Sequence, residues 1–482
     1  MEWIIVIIYF AAFSYIFLFS LGQLHLTWKY IRSRKKEKVP PKKITEWPLV
    51  TIQLPVYNEK YVAERLIETI ARIDYPADKL EIQVLDDSDD ETTDILRKAI
   101  DSLDASLDIS LVRRDNRKGF KAGALAYGLT LAKGEYIAIF DADFMPEKDF
   151  LKRTIPEFDD NTGVVQTRWG HVNKEYSLLT KLQAFALDAH FTVEQTGRSF
   201  SNSFINFNGT GGVWRKKCII DAGGWSDDTL TEDLDLSYRA QLKGWKFRYL
   251  EDCVAPAELP VIMPSIKSQQ YRWNKGAAES ARKNLLNVFK SDIGWINKIH
   301  ALFHLLNSVV FMALFLAASL SVPLLMIKKS QPALNTFFYL GGIFLIGFFS
   351  IAFHYWVATR KIEGATFKKY FFKIFPLFLI VSMGLSLHNG LAVLEGLIGF
   401  KTPFIRTPKF NIVGKKDSWK DNTYVSLTLA PLTLFEGLLS LYFVGGIVLG
   451  IVTGDWSMVP FHLMMALGFG AVFYYSVRPR YA

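Results

Sequence analysis

The sequence predicts an α/β domain with a mostly parallel sheet, joined to an α-helical membrane region. Three observations predict it. Half of the 482 residues are hydrophobic and 21% are charged, with a mean hydropathy of +0.15. That mixture is too apolar for an ordinary soluble domain and too charged for membrane helices alone. Between residues 45 and 260, short apolar runs alternate with amphipathic stretches, the pattern of strands linked by helices. Long apolar segments gather at 1–22 and after residue 300, several near the ~20 residues that span a bilayer.

The opening stretch "MEWIIVIIYFAAFSYIFLFSLGQ" holds enough apolar residues for one crossing. It lacks a basic leader and a small-residue cleavage site, so residues 1–27 are expected to form a retained transmembrane helix. The densest positive run, "WKYIRSRKKEKVPPKK" (28–43), follows directly. By the positive-inside tendency it puts the next domain in the cytoplasm, at a plasma or inner membrane. Because much of the net charge of +9 sits there, no nucleic-acid partner is expected. Two cysteines, Cys218 and Cys253, are too few for a disulfide framework or a cysteine-based metal site.

Residues 45–265 form the α/β domain. The runs "LVTIQL", "EIQVL", "ISLVR" and "YIAIF" read as strands, and "YVAERLIETIARI" and "TTDILRKAIDSL" as helices between them. Residues 266–300 read as interfacial amphipathic helices, and 301–482 as the membrane region. Its apolar segments are 301–327, 335–357, 370–400, 428–452 and 457–476. The basic stretch 359–373 and the polar stretch 401–423 both suit cytoplasmic loops, so 370–400 should not cross once. Interruptions at Pro376, Gly384, Asn389–Gly390 and Glu395 suit an interfacial or re-entrant segment. The expectation is five crossings, one interfacial segment and a loop at 401–425.

Three polar motifs each follow a predicted strand: "PVYNE" (55–59), "DDSDD" (86–90) and "DAD" (141–143). Ligands of open α/β sheets bind at the carboxyl ends of the strands. One acidic turn reads equally as turn or cap chemistry, and "DDETTDIL" also suits a helix cap. Three along one edge point to a site. Asp141 and Asp143 repel one another unless a cation or proton intervenes. A Mg²⁺ or Mn²⁺ ion held by both and completed by phosphate oxygens meets that need. No dinucleotide or P-loop fingerprint follows any strand. Arg117, Lys118 and Lys121 in "RKGFKAGAL" (117–125) are either diphosphate contacts or a solvated basic loop. In "LTEDLDLSYRAQLKGW" (230–245), Thr231 is a candidate cap that sets Glu232 and Asp233 in the first helical turn. Such acids are common at helix starts, yet an ionised carboxylate there also suits proton abstraction from an attacking hydroxyl. "KSQQYRWNKG" (267–276) places Gln269, Arg272 and Trp273 on one helix face, as a membrane-edge anchor or as a binding face.

Together these residues resemble the processive family-2 glycosyltransferases of the cellulose synthase type, whose D, DxD, TED and QxxRW signature is complete and in order. It comprises Asp87, Asp141/Asp143, Thr231–Glu232–Asp233 and Gln269/Arg272/Trp273. Stretches such as "FDADFMPEKDFLKRTIP", "VVQTRWGHVN", "LDAHFTVEQ", "FNGTGGVWR" and "ELP" are similar to the cellulose-synthase-like mannan and glucan synthases. The resemblance implies a GT-A-like domain over 45–265. It implies that Pro55, Tyr57, Glu59, Asp87, Lys121, Asp141 and Arg272 bind the nucleotide sugar. Asp141 and Asp143 would hold the metal, and Asp233 would be the general base. Asn208, Gly209, Thr210, Glu232, Gln269 and Trp273 would line the acceptor site and channel. "FIRTPK" (404–409) is similar to the family's gating loop, with Arg406, Thr407 and Lys409, although the family pattern has Val where this chain has Arg406.

The expected function is an inverting, processive synthase that adds β-linked hexoses to a polysaccharide and exports it through the bilayer. UDP-glucose is the leading donor. GDP-mannose, giving a β-mannan or glucomannan, is the alternative, because both donors use the same acidic framework. A third reading is single transfer of glucose to a membrane glycolipid acceptor. Intact carboxylates argue against a non-catalytic transporter or scaffold.

Overall fold

The computed structural model describes residues 2–35, 42–331, 341–420, 422–424 and 428–480. Parts of the basic run 28–43, of segment 335–357 and of the loop 401–425 lie outside the described residues.

The strands are β1 (Val50–Val56), β2 (Leu80–Asp86), β3 (Asp108–Val112), β4 (Tyr136–Ile139), β5 (Thr162–His171), β6 (Gly212–Arg215) and β7 (Lys246–Ala257). They form one sheet in the order β3-β2-β1-β4-β6-β5-β7. β1 to β4 are parallel, β7 is parallel to β5, and β6 is antiparallel to both neighbours. Every strand read from the sequence is present, and the sheet is mostly parallel as expected. One core lies on a face with Val50, Ile52, Val84 and Phe140. A second, around Ile137, Ile139, Trp214 and Leu125, covers the other face, which is why these strands read as continuous apolar runs. Pro55 falls inside β1 rather than after it. Because β4 pairs only with Val50–Gln53, the missing Pro55 N–H lies beyond the end of that ladder.

The helices are α1 (Glu2–Ser33), α2 (Ala63–Ala71), α3 (Thr92–Asp101), α4 (Phe120–Leu131), α5 (Phe150–Thr154), α6 (Leu178–Ala189), α7 (Gln195–Phe200), α8 (Lys216–Asp221), α9 (Glu232–Leu242), α10 (Met263–Lys290) and α11 (Trp295–Leu305). Then follow α12 (Val309–Ser330), α13 (Leu345–Glu363), α14 (Phe367–Gly384), α15 (Ser386–Ile398), α16 (Pro431–Thr453) and α17 (Val459–Val477). Among the described residues, five helical segments are long and apolar enough to cross a membrane: Glu2–Ser33, Val309–Ser330, Gly341–Gly384, Pro431–Thr453 and Trp456–Val477.

α1 runs past residue 27. At 1.5 Å per residue its 32 residues reach roughly 48 Å, longer than a hydrocarbon core. Its last turns dock on the sheet domain, where the Tyr30 hydroxyl donates to Glu251 at 3.2 Å and Arg34 pairs with the same carboxylate at 3.2 Å.

Segment 370–400 becomes two helices. Pro376, Asn389, Gly390 and Glu395, read as interruptions, lie within α14 and α15, and the break falls at Gly384–Leu385. Gly384 serves close packing: a Cβ there would lie 2.2 Å from the Gly468 carbonyl oxygen on α17. Glycine at both positions lets the two backbones meet. α15 lies along α10, where Asn389 donates to Gln270 at 2.7 Å and the His388 ring bonds the Lys267 carbonyl at 2.9 Å.

Candidate active site

The carboxyl ends of β1, β2 and β4 open onto one cleft, walled by α4, α9, α10 and residues 404–409. Of the residues expected at the site, Pro55, Tyr57, Glu59, Asp87, Lys121, Asp141, Asp143, Asn208, Gly209, Glu232, Asp233, Gln269, Arg272, Trp273, Arg406, Thr407 and Lys409 all line it. Thr210 does not. It is fully buried behind the cleft, where its hydroxyl accepts the Asp141 backbone N–H at 2.9 Å.

β4 ends at Ile139, so strand alternation does not orient the "DAD" carboxylates. Each has its own cation. Lys121 Nζ donates to Asp141 Oδ1 at 2.5 Å, and Lys409 Nζ donates to Asp143 Oδ2 at 2.8 Å. The repulsion that suggested a metal is thus met here by two ammonium groups. Asp143 is buried, and its Oδ1 has no hydrogen-bond partner. Among the described residues no three acidic, His or Cys side chains cluster to hold an ion. Two carboxylates with a free oxygen, completed by substrate phosphate, still fit Mg²⁺ or Mn²⁺.

Lys121 also donates to the Gly209 carbonyl at 2.9 Å and lies 3.9 Å from Glu232. Burial opposes its charge, but Asp141 and Glu232 outweigh that and hold its pKa up. Gly209 sits at φ +78°, and a Cβ there would lie 3.2 Å from Asp233 Oδ2. Only glycine takes that left-handed turn without cost while leaving room for the carboxylate. Burial, then the neighbouring Glu232, push the Asp233 carboxyl well above its ordinary range. Thr231 stands at the N-cap position but makes no capping hydrogen bond. Its side chain packs on Gly276 of α10, with its hydroxyl 3.3 Å from Ser280.

The acids of "DDSDD" divide by role. Asp86 is bound by Arg113 at 2.6 Å and Thr93 at 2.7 Å, and Asp89 by Asn58 at 2.7 Å. Asp90 pairs with the Tyr424 hydroxyl. Only Asp87 of this run lines the cleft, and Arg114 grips it at 2.7 and 2.5 Å. Arg117 lies over the Tyr57 ring, 3.2 Å from its centroid, and lines the cleft, whereas Lys118 faces a separate hollow.

On α10, Gln269, Arg272 and Trp273 face the cleft together. Arg272 donates to the Thr407 hydroxyl at 2.7 Å, and its guanidinium lies 4.8 Å from the Phe404 ring centroid. Trp273 is 6.4 Å from Trp169, which stacks on Phe191 at 4.8 Å. Arg406 pairs with Glu59 at 2.6 Å. Burial drives the Glu59 pKa up to about 7 despite that partner. Glu258, Trp169 and Phe404 also line the cleft and were not singled out from the sequence. Glu258 stands one residue past β7, the same strand-end position that marked Asp87.

Comparison with known proteins agrees with this architecture. The family described as glycosyltransferase-like family 2 matches residues 48–276. The chain is 41% identical over 304 residues to glucomannan 4-beta-mannosyltransferase 1 of Oryza sativa, covering 59% of this chain and 58% of that one. It is 42% identical over 253 residues to glucomannan 4-beta-mannosyltransferase 7 of Arabidopsis thaliana, covering 51% and 46%. The chain thus spans about half the length of the curated relatives it matches. Among solved structures, the mannosyltransferase PcManGT from Pyrobaculum calidifontis, in complex with GDP-Man and Mn²⁺, shares the fold with a TM-score of 0.56 at 21% identity, over 82% of this chain and 100% of that one. The sheet, the ordered motifs and the matched stretch identify residues 48–276 as a glycosyltransferase family 2 domain with a GT-A-like fold, followed by candidate membrane helices.

Proposed function

We propose that the chain is a membrane-embedded, inverting hexosyltransferase that builds a β-mannan or glucomannan from GDP-mannose and passes it outward between its membrane helices. The catalytic domain faces the cytoplasm. UDP-glucose, the leading donor on sequence grounds, gives way to GDP-mannose. Relatives at 41–44% identity are glucomannan 4-beta-mannosyltransferases by name, and the Pyrobaculum calidifontis mannosyltransferase of like fold is in complex with GDP-Man and Mn²⁺.

The observation that carries the reading is the Asp233 carboxylate beside the Gly209 turn, in the same cleft as Asp141, Asp143 and Arg272. An acceptor hydroxyl seated at Asn208–Gly209 gives its proton to Asp233 as its oxygen attacks the anomeric carbon. The bond from that carbon to the diphosphate oxygen breaks, GDP leaves, and the configuration inverts from α to β. Lys121 and Arg272 stabilise charge on the departing diphosphate. Asp141 and Asp143 would hold Mg²⁺ or Mn²⁺, which supplies further charge stabilisation to the leaving group. Trp273 and Trp169 offer flat apolar faces to the sugar rings of the acceptor.

The test incubates purified full-length protein with radiolabelled GDP-mannose, UDP-glucose and GDP-glucose plus Mn²⁺, then digests the product with linkage-specific hydrolases. Polymer from GDP-mannose that β-mannanase degrades is the expected result. Polymer from UDP-glucose alone, or a lipid bearing a single sugar, would overturn the reading.

A further inference from the structure

We propose that Glu258 is the positioning residue of the 401–420 loop: its carboxylate pins Phe410 and Asn411 and so sets Lys409 on Asp143. Glu258 Oε1 accepts the Phe410 backbone N–H at 2.9 Å, and Oε2 accepts that of Asn411 at 2.9 Å. The Glu258 side chain is 1% exposed, so these charge-assisted bonds form away from water, where losing one costs most. Three further contacts converge on the same point. Asn411 adopts φ +59°, a left-handed turn that Asn tolerates better than most residues, and its side chain accepts from Arg65 at 2.6 Å. Arg65 itself stands 4.0 Å from Glu258 Oε2. Phe410 and Ile412 are buried against Val261 and Ile262, on the link that carries Glu258 from β7 into α10.

Further out the loop reaches solvent, with Ile405 64% and Val413 50% exposed, while Arg406, Thr407 and Lys409 between Ile405 and the pin turn into the cleft. The pin also joins the floor of the cleft through one atom. Asp143 Oδ2 accepts the Glu258 backbone N–H at 3.2 Å and the Lys409 ammonium at 2.8 Å. One residue therefore holds the loop with its side chain and the acidic floor with its main chain. The kinetic consequence rests on the donor-site reading above, but the pin does not.

The experiment uses the full chain in detergent and two variants, E258Q and Phe410→Ala, the second removing the apolar half of the pin. Tryptic cleavage after Lys409, measured without any donor, reports the loop, and the thermal midpoint reports the whole fold. Losing one of two buried charged acceptors predicts about tenfold faster cleavage at an unchanged midpoint. Donor KM should rise by about the same factor while kcat moves less, because the loop positions rather than reacts. Cleavage at the wild-type rate in both variants would overturn the pin, as would cleavage that merely tracks a falling midpoint. Failure of the GDP-mannose reading would leave the cleavage result standing.

Discussion

The floor of the cleft and the loop over it carry opposite charges on opposite kinds of scaffold. Glu59, Asp87 and Asp141 sit just beyond β1, β2 and β4, so sheet register fixes where each one stands. Residues 401–420 contain no helix or strand; besides the Glu258 pin, they meet the cleft through Arg406 on Glu59, Thr407 on Arg272 and Lys409 on Asp143. The loop supplies cations to two of the carboxylates, Glu59 and Asp143, whereas Asp87 and Asp141 are neutralised by Arg114 and Lys121 of the α/β domain itself. The difference teaches how the work is divided. On the proposed function, the groups that react sit on rigid strand ends and helix starts, and those that would yield to a bound diphosphate sit on a loop.

Changes to the floor should therefore abolish chemistry, and changes to the loop should weaken donor binding. Asp233→Asn removes the proposed base while keeping its shape. Turnover should fall by about 10²- to 10⁴-fold, with GDP affinity by calorimetry unchanged. Full activity in that variant would break the assignment. Chelation with EDTA should also stop turnover, and Mn²⁺ should restore it. An unaffected rate would mean that Lys121 and Lys409 supply the counter-charge by themselves. Lys409→Met strips the loop's cation from Asp143 and should raise donor KM by about tenfold, as expected for one charged hydrogen bond. A collapse of kcat as deep as that of Asp233→Asn would erase the distinction between floor and loop. The smallest effect is expected from Thr407→Val, about threefold in KM for one neutral partner lost to Arg272.

The pH profile sharpens the same contrast. Burial and Glu232 raise the Asp233 carboxyl, and only its ionised form accepts a proton. The rate should therefore drop as the pH falls below neutrality, well before the ~4 of an ordinary carboxylate. An acid limb near that ordinary value would contradict the buried geometry.

Much of the floor was legible because its signals are local. A β-branched run followed by Asp marks a strand end whether or not the neighbouring strands are known. The α10 face was legible for the same reason, since Gln269, Arg272 and Trp273 are spaced by three and four residues. What stayed hidden depends on contacts distant in sequence. Lys409 reaches Asp143 across 266 residues, and no spacing rule announces that. Glu258 showed only as part of "ELP" and did not stand out, because its partners are backbone N–H groups 152 and 153 residues away. Thr231 had the composition of a cap, yet packing against Gly276 took its side chain elsewhere. In the membrane region Pro376 and Asn389–Gly390 read as breaks, but tertiary contact carried the helices through them. Gly384 looked like one break among several, and its partner Gly468 could not be paired with it by sequence alone.

The most direct test of the central claim is the anomeric configuration of the first sugar transferred, read by proton NMR on product made from GDP-α-mannose. Direct in-line displacement with Asp233 as base predicts a β-mannosyl linkage from the wild-type protein and product formed at least about a hundredfold more slowly by Asp233→Asn. An α-linked product, or equal product from the variant, would contradict it.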